Sequence, residues 1–331
     1  MSGRITTSIG LATAAALSIL IALLAGNGPA GPGELLAALT GGQADPLMHT
    51  VLVEIRLPRI LTAFIVGAAL GLAGAALQGL LRNPLADPGV LGVSGASALG
   101  AVIAVYFNLA ALSVWVTPGL SIAMALAVTA LLYALGASAV STTRLVLVGV
   151  GLSSFAGALM ALLMNLAPNP FSLSDLINWL LGSVANRSWL DIGFSAPFWV
   201  AGLACVLLAA PGLRALTLGE EGASGIGADV PRTRLLVIVG SALLTGASVA
   251  AAGIIGFVGI VAPHLVRPFV RHDPGDLLIP SALLAGTILV LADTAVRVLP
   301  FAIEMKLGVA AALIGAPAFV WIAARARGMG E

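Results

Sequence analysis

Lysine and cysteine each occur once in the 331 residues, at Lys306 and Cys205, and histidine only three times. Lys306 is followed by leucine, so a G-x-x-x-x-G-K-[ST] phosphate loop cannot form anywhere in the chain. A lone cysteine in an apolar run excludes a disulfide within the chain and a cysteine-based metal site, leaving Cys205 as a small apolar packing residue. His49, His264 and His272 are far apart in sequence and in unlike contexts, so they read as packing or solvated side chains rather than haem or metal ligands. Charge is scarce as well. Only 9% of residues are charged, against about 25% in soluble globular domains, and no polar stretch is long enough for a separate soluble domain. What remains is 60% hydrophobic, with a mean hydropathy of +1.10. The chain reads as one integral membrane domain, all α-helical, over 1–331. The net charge of +1 carries no information about partners.

Apolar runs broken by charge or by Pro/Gly clusters predict about ten spans, near 8–25, 60–81, 91–108, 114–135, 143–166, 192–210, 233–252, 256–270, 278–298 and 307–324. Short surface helices are expected over Pro32 to Leu39 and Ser174 to Leu181. The first run follows Arg4 and is longer than the apolar core of a usual signal peptide, with a poor cleavage site after it, so it reads as an uncleaved first span. With the N-terminus inside, Arg4, Arg82, Arg144, Arg214, Arg232, Arg234, Arg267, Arg271, Arg325 and Arg327 fall on the cytoplasmic side. Only Arg56, Arg59, Arg187, Arg297 and Lys306 fall outside. That bias fits an even number of spans with both termini cytoplasmic. A shift of 179 positions aligns Ala63 with Ala242, Gly67 with Gly246, Gly74 with Gly253 and Pro84 with Pro263. It carries the second span onto the seventh, which predicts an inverted five-helix repeat with halves near 1–190 and 191–331.

The second span carries Gly67, Gly71, Gly74 and Gly79, a composition suited to close helix approach, as at Gly246 and Gly253 later in the chain. Mid-span positions are almost all Ala, Leu, Val, Gly, Ser and Thr, so the ionisable groups that couple a carrier to protons or sodium are missing. Asp293 and Arg297, four apart, read as an i,i+4 pair near a helix end. No catalytic constellation is present. An ion-coupled secondary carrier is the alternative, and it lacks its ligands.

The chain resembles the FecCD-type permeases, the membrane subunits of ABC importers for iron-siderophores, haem and cobalamin. The resemblance rests on RLPR at Arg56 to Arg59, GAALGLAGAALQGLLRNPLADPGVLG at Gly67 to Gly92, and NWLLGS at Asn178 to Ser183. It continues with LTLGEEGASGIG at Leu216 to Gly227, AGIIGFVGIVAPHLVR at Ala252 to Arg267, Asp293 with Arg297, and ALIGAPAF at Ala312 to Phe319. It implies a ten-span protomer of the bacterial inner membrane that dimerises with a copy or a related chain. The implied partners are two cytoplasmic ATPase subunits, which hold ATP and magnesium, and a periplasmic or lipoprotein substrate-binding protein that delivers a metal chelate. No cofactor in this chain and no nucleic acid is implied.

By the same resemblance, the loop at about 214–232 docks on the ATPase through Leu218, Gly219, Glu220, Glu221, Ala223 and Gly227. From the residues alone it is a short helix with acids in its first turn and a glycine at its end. Arg56, Arg59 and Arg297 would meet acidic groups of the binding protein; read alone, each is also a candidate for headgroup snorkelling. Lys306 stands where the family usually has proline, either joining that rim or pairing with Glu304. The segment Asn165 to Ser183 would border and gate the translocation path together with Ser153, Ser154 and Gly157. Pro168 and Pro170 end the preceding helix, Ser174 is the expected cap of the next, and Gly182 counts with Asn165 and Trp179 among the path residues. Trp179 reads equally as a gate residue or an interfacial anchor. A second departure from the family pattern is Gly275-Asp276, where it is commonly basic.

Overall fold

The computed structural model describes residues 2–25, 33, 49–136, 142–270, 273–299 and 304–326. Among these the chain is helical, with no strand. Helix α1 (Ser2–Leu24) is followed by a π-helical turn, Val51–Arg56, which runs directly into α2 (Leu57–Leu81). Next come α3 (Val93–Tyr106), α4 (Val116–Gly136), α5 (Thr142–Asn165) and the short α6 (Pro170–Leu180). Then follow α7 (Trp189–Ala215), the seven-residue α8 (Gly219–Gly225) and α9 (Val230–Ala252). The series ends with α10 (Val258–Val266), α11 (Pro274–Val298) and α12 (Leu307–Ala326). Each of the ten expected spans coincides with a helix, and among the described residues seven are long and apolar enough to cross a membrane. Of the other three, α12 has 20 residues, and α3 and α10 are shorter. Helix α3 has 14 residues, about 21 Å at 1.5 Å per residue, against roughly 30 Å of hydrocarbon.

Helices α2 and α9 form the centre. Each is 78% buried over its spanning window, whereas α5 is only 11% buried. Small residues make this centre dense. A Cβ on Gly67 would lie 2.6 Å from the Ala285 carbonyl oxygen, one on Gly71 would overlap the Ala285 side chain, and one on Gly74 would overlap the Gly259 carbonyl. Helix α2 therefore presses backbone to backbone against α11 and α10. Where no hydrophobic effect drives helices together, such proximity maximises dispersion contact. Gly246 on α9 likewise leaves room for the Ala125 side chain of α4, 2.9 Å from where a Cβ would stand.

Three expectations are corrected. The second span begins earlier than residue 60, because Leu57 and Pro58 open α2 and the π turn extends it to Val51. Helix α6 starts at Pro170, not near Ser174: Asn169 Oδ1 accepts the Ser172 amide at 2.9 Å, and Pro170 at the first position needs no amide partner. Ser174 lies inside that helix, where its hydroxyl accepts Asn178 Nδ2. The 179-residue shift does not keep the helices in register. Gly74 is interior to α2, whereas Gly253 ends α9 at φ +71°. The surface helix expected over 32–39 lies, apart from Gly33, outside the described residues, as do Arg271, His272 and Arg327.

Candidate functional site: two polar ends and a glycine junction

Polar side chains gather at the two ends of the helix bundle. At one end α7 runs into a 3₁₀ turn, Leu216–Leu218, and the chain reverses at Gly219 (φ +87°) into α8. Glu220 and Glu221 occupy the first turn of α8, and Ala223 is fully buried beneath it. Gly227 at φ +84° turns the chain again, into α9, whose first amides are capped by Asp229 through a 2.9 Å bond from Arg232 N. Arg234 holds Glu220 at 2.8 Å. Leu218 and Ile226 nevertheless stand 62% and 66% exposed on either side of this elbow. Arg214 ties the end of α7 to α11 through Asp273 (3.1 Å) and Asp276 (2.7 Å). Asp276, at a position commonly basic in the resembling family, thus has a structural partner, and Asp273 caps α11 by accepting the Gly275 and Asp276 amides.

Between α2 and α3 the residues 82–92 fold back into the bundle. Arg82 (φ +49°) leaves α2, Asp87 Oδ1 accepts the Gly89 amide at 2.8 Å, and Gly92 (φ +81°) starts α3. Ser153 of α5 donates to the Gly89 carbonyl at 2.9 Å, and Gly149 packs on the Val90–Leu91 backbone. The second carboxylate oxygen of Asp87 faces Gly259 at the start of α10. Asp87 keeps some exposed area, but loss of water around its carboxyl pushes the pKa up, opposed only in part by the Gly89 amide. Gln78 accepts from Arg267 at 2.6 Å and so ties α2 to the far side of α10.

At the opposite end, Asp293 of α11 is 2% exposed and receives two guanidiniums. Arg59 forks onto it at 2.8–3.1 Å, and Arg297 approaches at 3.2 Å. Arg59 also pairs with Glu304, so Glu304 is engaged by Arg59 rather than by Lys306. Arg297 donates to the Ala22 carbonyl, and Arg56, 9% exposed, donates to the Leu23 carbonyl at 2.9 Å. The three arginines expected at a docking rim therefore lie in one cluster whose members reach inward, binding α1, α2, α11 and the segment before α12. Lys306 is half-buried beside it.

Close by, the ends of α6, α9 and α12 meet through backbone alone. Ser183 N donates to the Ala252 carbonyl at 2.7 Å, and Gly308 N to the Gly182 carbonyl at 3.1 Å. A Cβ on Gly182 or Gly308 would overlap the Ile254 carbonyl, and one on Gly253 would overlap that of Trp179. Of the expected path residues, Gly182 and Trp179 belong to this junction. Ser153 is bonded to the 82–92 loop, Ser154 and Asn165 are exposed on α5, and Gly157 has open space where a Cβ would stand. The structure does not bring α5's small residues and the junction into one cluster. Sequence reasoning missed Asp87 and the Arg59–Asp293–Glu304 link. The only signal for the first was an acid set between prolines in NPLADPGVLG.

A buried apolar centre and helices long and apolar enough to span a membrane define an integral membrane protein, and the family match makes it a transport permease. The chain belongs to the FecCD transport family, whose pattern it matches over residues 14–325. It is 36% identical to the vitamin B12 import system permease protein BtuC of Klebsiella pneumoniae, over 97% of this chain and 94% of that one. It is 38% identical to the Fe(3+) dicitrate transport system permease protein FecD of Escherichia coli, over 88% and 90%. A solved structure described as an inward-facing conformation of a putative metal-chelate type ABC transporter superposes with a TM-score of 0.83 at 31% identity, covering 97% of this chain and 99% of that chain.

Proposed function

We propose that this chain is the translocating subunit of a binding-protein-dependent ABC importer, carrying an iron chelate or cobalamin across the bacterial inner membrane. It crosses ten times with both termini cytoplasmic and pairs with a second protomer around a central path. The elbow at 216–230 carries the reading. It is a seven-residue helix hung between two positive-φ glycines, with exposed Leu218 and Ile226 flanking two acids. An exposed apolar pair on a charged, tightly anchored turn fits a cleft in another protein. The elbow joins α7 directly to α9, and α9 packs on α2, so a push there reaches the central pair of helices. Energy then comes from ATPase subunits seated on this elbow.

The opposite end is the docking face for the substrate-binding protein. Acidic groups of that partner would engage Arg59 and Lys306, while the inward-turned Arg56 and Arg297 hold the rim on α1, and the exposed Glu304 occupies the outer side of Arg59. Docking thus exchanges one carboxylate for another. The substrate class rests on the relatives, one handling vitamin B12 and one ferric dicitrate.

The test is uptake into proteoliposomes holding the permease with its ATPase and binding protein. ATP-driven accumulation of the chelate should be abolished by vanadate and survive ionophores. Accumulation by the permease alone, driven by an ion gradient, would overturn the proposal.

A further inference from the structure

A second polar site lies apart from the elbow and from the Arg59–Asp293 cluster. At the Arg59 end, the starts of α4 and α7 and the ends of α6 and α9 enclose a cavity of about 300 Å³. Its wall carries Arg187, Ser188 and Asp191 together with Trp115, Trp179 and Phe194. Trp115 stacks on Phe194 with ring centroids 5.0 Å apart. Asp191 Oδ2 is fully used by the helix start, accepting Ser188 N at 2.8 Å and Ser188 Oγ at 2.7 Å. Its other oxygen lies 3.6 Å from Arg187 Nη1, too far for a hydrogen bond. Arg187 Nε is buried and has no hydrogen-bond partner. The outer guanidinium nitrogens and this carboxylate oxygen, on side chains 26% and 34% exposed, are a charge pair open to a ligand that carries both signs.

We infer that this cavity binds the headgroup of a zwitterionic phospholipid bearing a primary ammonium, that is, a phosphatidylethanolamine. The phosphate meets the outer guanidinium nitrogens of Arg187, whose side chain keeps 26% of its area exposed, as a charge-assisted bond. The ammonium donates to the free oxygen of Asp191 and lies against the indole faces of Trp115 and Trp179. A choline headgroup has no N–H to give Asp191, and an anionic glycerol headgroup sets no cation against it. The location fits a lipid. Trp115 and Trp189 are 39% and 38% exposed at this end, the level at which tryptophans anchor in a bilayer. Val114 and Leu190 of the cavity wall are 73% and 66% exposed, so the acyl chains leave the cavity along apolar surface.

The experiment is native mass spectrometry of the full-length chain in detergent, offered equimolar dioleoyl phosphatidylethanolamine, phosphatidylcholine and phosphatidylglycerol. Phosphatidylethanolamine should be retained about tenfold over the other two. Arg187→Gln should abolish that preference, and Asp191→Asn, which keeps an oxygen for the Ser188 cap, should reduce it to the level of phosphatidylcholine. Competing inorganic phosphate and glycerophosphoethanolamine separate the sources: neither should displace the lipid at equal concentration. Equal retention of all three lipids, unchanged preference in Asp191→Asn, or displacement by phosphate alone would each overturn the inference. The transport reading is untouched by any of these outcomes.

Discussion

Asp293 serves two guanidiniums and is almost wholly buried, so its loss leaves Arg297 without a carboxylate and Arg59 with only the exposed Glu304. Breaking a buried pair by removing one partner costs about 3–5 kcal/mol. Asp293→Asn is therefore expected to lower the unfolding temperature of the detergent-solubilised chain more than Arg297→Gln, which leaves Arg59 on the carboxylate. Equal melting of the two variants would show that Arg59 contributes nothing there. Glu304 behaves differently because it is the exposed member. Glu304→Gln should release the outer side of Arg59 and raise the association rate of the binding protein about three- to tenfold at low ionic strength, with the gain vanishing in high salt. Asp87 supplies a pH dependence. Its carboxyl pKa is raised in the folded chain by desolvation. The folded state thus holds the proton more tightly than the unfolded state, and stability falls as pH rises from the ordinary carboxylate value through the raised one. Asp87→Asn, which keeps an acceptor for Gly89 N, should melt above the parent at pH 7 and match it near pH 4. A constant difference at both pH values would remove the desolvation argument.

At the scale of elements, glycine positions divide into two kinds. Gly74 has no room for a methyl against Gly259, while Gly157 on α5 meets nothing within 4 Å. Gly74→Ala is expected to cost about 1–3 kcal/mol through overpacking, whereas Gly157→Ala should be neutral or gain up to about 1 kcal/mol of helix propensity. Comparable losses in both would mean that α5 is packed where the protomer leaves it open. The elbow belongs to this scale as well. Gly227 holds φ +84°, which a side chain strains, so Gly227→Ala should reorient α8 and lower transport per ATP hydrolysed while the spans still assemble. Unchanged coupling in Gly227→Ala and in Glu220→Gln would detach α8 from the ATPase.

Across the whole molecule, the unevenness of burial is the informative quantity. Helix α5 exposes Leu147, Phe155 and Leu162, and α12 exposes Leu313, Ile314 and Val320. Facing lipid would account for apolar surface, but α5 also presents Ser154 and unoccupied glycine positions. In a Cys205→Ala background, single cysteines replacing Phe155 or Leu313 should crosslink two protomers, while one replacing Leu208 on the flank of α7 should not. Crosslinking only at Leu208 would place the partner on the wrong face.

The amino-acid order by itself determined the helical membrane class, the places of the helices and the family. Hydrophobic runs, glycine content and the GEEGASGIG turn are local properties that need no partner to be read. It also placed Asp293 with Arg297, because four residues in a helix is one turn. It could not place Arg59 on the same carboxylate, 234 positions away, nor set Glu304 against Arg59. Nor could it foresee that the helix expected from Ser174 begins at Pro170, or that Gly182, Gly253 and Gly308 meet. Those were decided by packing. In a bundle whose helices share one apolar composition, which faces touch depends on where two backbones come close enough to exclude a methyl, and only the folded chain specifies that.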